Sequence, residues 1–126
     1  MSIKTPAKRV HGLGSAKEGV HHWWMQRLTA LLLVPLTIWF VASLWYLFRA
    51  SRAELIDWLS GPISCTLMIL LILAGFYHAK LGMQVVIEDY VHSRLWHTWL
   101  QVKVTLGCAV LATACIVSVL KLALGG

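Results

Sequence analysis

The chain has 126 residues, 59% of them hydrophobic and only 13% charged, which is too apolar and too poorly charged for an ordinary soluble domain. Its formal net charge is +6 at pH 7, but the basic residues form no long tract with interleaved aromatics, which argues against a nucleic-acid partner. Asp, Glu, Lys and Arg are missing from Leu28 through Phe48, from Trp58 through Ala79 and from Val104 through Leu120, windows of 21, 22 and 17 residues. A hydrocarbon layer roughly 30 Å thick takes about 20 residues of helix. The first two windows suffice alone, and the third does so if Lys103 or Lys121 snorkels. The chain therefore reads as an all-α membrane protein with three transmembrane helices.

In chain order, residues 1–22 read as a polar tail, with Pro6, Gly12, Gly14 and Gly19 favouring irregular chain as far as Gly19. Ser15-Ala-Lys-Glu18 has the spacing of a capping box, so a short interfacial helix starting there is the alternative to a flexible tail. Residues 23–122 form the membrane domain, with helices predicted over about 23–48, 62–90 and 96–122. Trp23 and Trp24 suit an interfacial aromatic belt. Arg27 sits about one turn into the first span, where it either snorkels to lipid phosphate or pairs with a cofactor carboxylate. His21, six residues earlier, is poorly aligned with it on a helical face. Pro35 can kink the first helix.

Arg49 to Gly61 reads as a short exposed connection, and Pro62 suits the first turn of the second helix. Val91 to Trp96 makes the next turn, where His92 and His97 read as surface or interface residues. The third helix carries no polar constellation and reads as packing and anchoring. Cys65, Cys108 and Cys115 lack CxxC spacing and read as small buried hydrophobes. No phosphate loop, hydrolytic carboxylate pair or Ser-His-Asp order is present, so chemistry on a soluble substrate is not expected within this chain.

Charge asymmetry orients the helices. Eight Lys or Arg lie before the first helix or around the second connection, against Arg49, Arg52 and Lys121 on the other side. The positive-inside rule then puts the N-terminus in the cytoplasm and the C-terminus in the periplasm. The first residues lack the apolar core of a secretory signal. Their basic charge would suit a mitochondrial presequence, but Pro6 and the brevity of the tail disfavour one; a bacterial inner membrane is the expected location, ahead of the mitochondrial one.

The second predicted helix holds the most informative residues. At roughly 100° per residue, Leu71, Gly75, His78, Gly82, Val85 and Asp89 share one face. His78 is either a packing residue bonded to a Ser or Thr, or an iron ligand with Gly75 and Gly82 leaving room for a porphyrin edge. Without a second histidine at that depth, bis-histidine ligation would need another subunit. About 16 Å further along the axis, Asp89 and Tyr90 are either an acidic helix end with an interfacial tyrosine or part of a quinone site. In the second case the Tyr90 hydroxyl donates to a quinone carbonyl and Asp89 orients neighbours or relays protons. Lys80, on another face, has to reach headgroups or a protein anion.

The run His78-Ala-Lys-Leu-Gly82, then Val86-Ile-Glu-Asp89-Tyr90, with Gly19-Val-His21 and Arg27-Leu-Thr-Ala30, resembles the smaller hydrophobic membrane-anchor subunit of succinate dehydrogenase, respiratory complex II. The resemblance implies a heterotetramer of a flavoprotein that oxidises succinate, an iron-sulfur protein, a second hydrophobic anchor (cytochrome b) and this chain. It implies haem b shared by the two anchors, ubiquinone as the bound substrate, and a place in electron transport and the tricarboxylic acid cycle. His78 is similar to the axial haem iron ligand, with Gly75 and Gly82 beside it. Arg27 resembles the basic residue near the haem propionates, with His21 in the same neighbourhood. Tyr90 resembles the quinone-contacting tyrosine, and Asp89 its acidic neighbour. The alternatives are a fumarate reductase anchor and a structural anchor without a redox cofactor.

Overall fold

Apolar residues occupy the whole circumference of three long segments, the pattern of helices surrounded by lipid and other helices rather than by water. The computed structural model describes residues 16–125. The described residues form four helices: α1 (Ala16–Leu47), α2 (Arg52–Ser60), α3 (Pro62–Tyr90) and α4 (Arg94–Ala123). Among the described residues there is no strand. Gly19–Leu47, Pro62–Tyr90 and Arg94–Ala123 are long and apolar enough to cross a membrane, at 29, 29 and 30 residues. At 1.5 Å per residue each is about 44 Å long, so each tilts or projects beyond the hydrocarbon.

α3 is the central helix, with α1 packed on one side and α4 on the other. Among the described residues few side chains are buried: Leu36, Leu59, Ala74, Leu81 and Ile87 form the apolar core, and Thr29 is buried among the polar ones. Outward residues such as Leu31 and Val110 are 71% and 66% exposed. In lipid such residues carry no penalty and remain available to further helices. α1 continues through Pro35, which removes the N–H that would bond the Leu31 carbonyl.

Two helical stretches extend the expected picture. α1 starts at Ala16, where the capping-box alternative put a helix start and seven residues before the predicted start of the first span, so the chain is already helical at Gly19. A Cβ at Gly19 would meet nothing within 4 Å, and a lone glycine costs a helix only about 1 kcal/mol. Residues 1–15 of the predicted tail, with the Ser15 end of the capping-box spacing, lie outside the described residues.

The short exposed connection read between Arg49 and Gly61 holds a helix, α2. Ser51 caps it: the Ser51 hydroxyl accepts from the Glu54 N–H at 3.4 Å, and the Ser51 N–H donates to Glu54 Oε2 at 2.7 Å. Reciprocal satisfaction of these end groups nucleates the helix. Trp58 of α2 stacks on Trp39 of α1 with ring centroids 5.7 Å apart, and the Ser60 hydroxyl donates to the Ala123 carbonyl of α4 at 2.9 Å. α2 thus touches α1 about two turns before its end and α4 at its last residue. Pro62 occupies the first turn of α3, and Val91–Ser93 forms the turn to α4. Cys65, Cys108 and Cys115 are free thiols; the first two are half-buried, and Cys115 lies exposed on α4 instead of buried.

Candidate functional site in the seam between α1 and α3

Residues 22, 26 and 29 follow the i, i+4, i+7 spacing that aligns side chains along one face of α1. This face meets α3. Thr29, 8% exposed, places its Oγ1 3.0 Å from His78 Nδ1 on α3. The same oxygen lies 2.8 Å from the Met25 carbonyl oxygen and 3.1 Å from that of Gln26. Interhelical hydrogen bonds in membranes contribute about 0.6 kcal/mol on average. The contact therefore orients the imidazole more than it holds the helices together.

Gly75 and Gly82 stand three residues before and four after His78, on its face of α3. A Cβ at Gly75 would meet nothing within 4 Å, and one at Gly82 would meet only the Gln26 side-chain nitrogen, at 3.7 Å. Open space therefore borders the imidazole on the Gly75 side, while the Gln26 side chain borders it on the Gly82 side. Gln26 Oε1 and His22 Nε2 are buried and find no hydrogen-bond partner among the described residues. Such atoms are costly in an apolar environment.

The other predicted residues are not gathered here. Arg27 is two positions before Thr29, about 200° round α1, and its guanidinium lies 4.3 Å from the centroid of the Trp23 ring, in turn stacked on Trp24. The contact is a cation–π pair on the exposed flank of the helix. His21 is exposed, while its neighbour His22 is half-buried in the seam. Asp89 and Tyr90 close α3 at the surface, with Tyr90 79% exposed. Lys80 extends over the Tyr77 ring at 5.8 Å, beside a shallow apolar groove shared with Thr105 and Cys108 of α4. No three His, Cys, Asp or Glu side chains converge among the described residues.

Sequence reading missed Thr29, Gln26 and His22 as site residues. Their 22, 26, 29 spacing is visible in the sequence. The rotation of α1 that turns this face toward His78 is not.

A histidine at membrane depth between glycines, joined by one helix to a surface Asp-Tyr pair, is the arrangement against which relatives can be compared. The family described as succinate dehydrogenase/fumarate reductase transmembrane subunit matches residues 1–120. The chain belongs to this family. Among relatives named succinate dehydrogenase hydrophobic membrane anchor subunit, that of Rickettsia bellii is 39% identical over 84% of this chain and 85% of its own. That of Rickettsia conorii is 33% identical over 92% and 93%, and that of Paracoccus denitrificans 30% identical over 90% and 88%. No solved structure matches the chain. As a succinate dehydrogenase anchor, it is a multi-pass membrane protein that works in a complex with other subunits of that enzyme.

Proposed function

We propose that this chain helps bind haem b and form the ubiquinone reduction site of succinate dehydrogenase, with its N-terminus in the cytoplasm and its helices in a bacterial inner membrane. The supporting observation is His78. Its Nδ1 is engaged by Thr29 at 3.0 Å, which leaves Nε2 as the nitrogen for iron, and the open position at Gly75 suits the edge of a porphyrin. The residues fit the group. Haem b, when bound, would supply a one-electron carrier; His78 would hold its iron from this chain, and the second anchor would supply the other ligand.

Tyr90 and Asp89 serve a separate site at the membrane edge, about 16 Å along α3 from His78. The Tyr90 hydroxyl donates to a quinone carbonyl, and Asp89 orients it and relays protons from water. Exposure of Tyr90 fits a pocket whose other walls come from the second anchor and the iron-sulfur subunit. Succinate oxidation belongs to the flavoprotein. Arg27, already at the surface of α1, meets a propionate of the haem or lipid phosphate.

A structural anchor without redox cofactor is favoured by one observation: the Thr29–His78 bond is also the contact a packing histidine makes. A reduced-minus-oxidised spectrum of the purified complex, beside a His78→Ala complex, separates the readings. The haem reading expects a b-type spectrum that is lost or shifted in the variant. Wild-type complex without haem, or an unaltered variant spectrum, would leave His78 as a packing residue. The family description also covers fumarate reductase; the names of the relatives favour the dehydrogenase.

A further inference from the structure

The Thr29 hydroxyl has one proton and two lone pairs. Its oxygen stands 2.8 Å from the Met25 carbonyl oxygen and 3.1 Å from that of Gln26. Such separations require the proton to lie between Oγ1 and those carbonyls, because otherwise the lone pairs of three oxygens would face one another. The proton is therefore committed to the bond that a helical Thr makes back to its own backbone. Toward α3 only a lone pair remains. His78 Nδ1, 3.0 Å away, must then supply the hydrogen of that contact. The neutral imidazole is the Nδ1–H tautomer, and its other nitrogen carries the lone pair.

We infer that Thr29 is the positioning residue for His78: it fixes the tautomer and ring orientation and, by accepting the Nδ1–H, strengthens Nε2 as a donor to iron. The inference rests on the reading of His78 as a haem ligand and deepens it. A ligating histidine commonly gives its second N–H to a nearby acceptor, which orients the ring and raises its basicity. Here the acceptor comes from a different helix. Since Thr29 is held by its own backbone and is 8% exposed, the packing of α1 on α3 sets the ring's direction. A neutral hydroxyl also polarises the ring less than a carboxylate would, and brings no charge into the membrane.

Two variants of the assembled complex divide the side chain into its parts. Thr29→Val keeps the branched shape and removes the hydroxyl; Thr29→Ser keeps the hydroxyl and removes the methyl group. Haem per complex, the low-spin electron paramagnetic resonance signal and the haem midpoint potential are measured for both. A weaker nitrogen donor stabilises ferric iron less, so Thr29→Val should shift the midpoint positive and alter the resonance signal, or lose haem. Thr29→Ser should remain close to wild type. A loaded Thr29→Val complex with wild-type potential and signal would overturn the inference, as would equal damage in both variants, which would assign the effect to the methyl group. If wild-type complex holds no haem, the ligand reading falls and this inference with it. If His78→Ala loses haem while Thr29→Val matches wild type, only the role of Thr29 falls.

Discussion

Gly75→Leu tests whether the space beside His78 belongs to a cofactor. Within the chain this substitution has no steric cost at its first atom, since a Cβ at Gly75 meets nothing within 4 Å. Replacing a helical glycine gains about 1 kcal/mol in propensity, so the chain alone should be no less stable. With a porphyrin edge in that space, overpacking costs about 1–3 kcal/mol, or about 5- to 150-fold in haem affinity. Gly107→Leu is the matched control, because Gly107 of α4 is equally open but lies on another helix. The assay dilutes each purified complex in detergent and follows retained haem by absorbance, with thermal unfolding measured in parallel. Gly75→Leu should lose haem at dilutions where wild type and Gly107→Leu keep it. Wild-type retention by Gly75→Leu would refute the assignment, and equal loss by both variants would show that the effect is general to packing.

Tyr90→Phe removes one donor and leaves the ring, so kcat/KM for quinone should fall about 2- to 13-fold, the equivalent of a hydrogen bond of about 0.5–1.5 kcal/mol, with haem content unchanged; wild-type rates at limiting quinone would remove Tyr90 from the site. The Glu54 carboxyl is held below its ordinary value of 4.5 by the Ser51 N–H and, less, by the Ser51 hydroxyl. Its contribution to α2 is thus present above that value and lost as pH falls through the lowered one. Corrected for the intrinsic pH dependence of the exchange chemistry, amide exchange in the first turn of α2 should show lower protection on acidification below about pH 4.5 in wild type and no such step in Glu54→Gln. Ser51→Ala should speed that exchange about fivefold at neutral pH, the typical worth of an N-cap; unchanged exchange would mean that packing, not the cap, holds α2.

Much of the site was legible because it lies on one helix. The angular relation of Gly75, His78, Gly82 and Asp89 follows from helical geometry once α3 is recognised, and Pro62 marks its start. The Ser51-Arg-Ala-Glu54 spacing is an equally local signal for α2, overlooked in reading the connection by charge and exposure. Residues on α1 were harder to place. Arg27 and His21 stood out by residue type, yet the seam is lined by Thr29, Gln26 and His22.

The sequence by itself determined three membrane spans and the common face of His78 and its glycines, since charge-free length and helical periodicity are properties of a single segment. Tertiary structure alone decided which α1 face meets that histidine. Helices apolar all round pack by side-chain shape and a few hydrogen bonds, so hydropathy carries no preferred rotation of one about another. Thr29 is the residue that this rotation brings to His78 Nδ1.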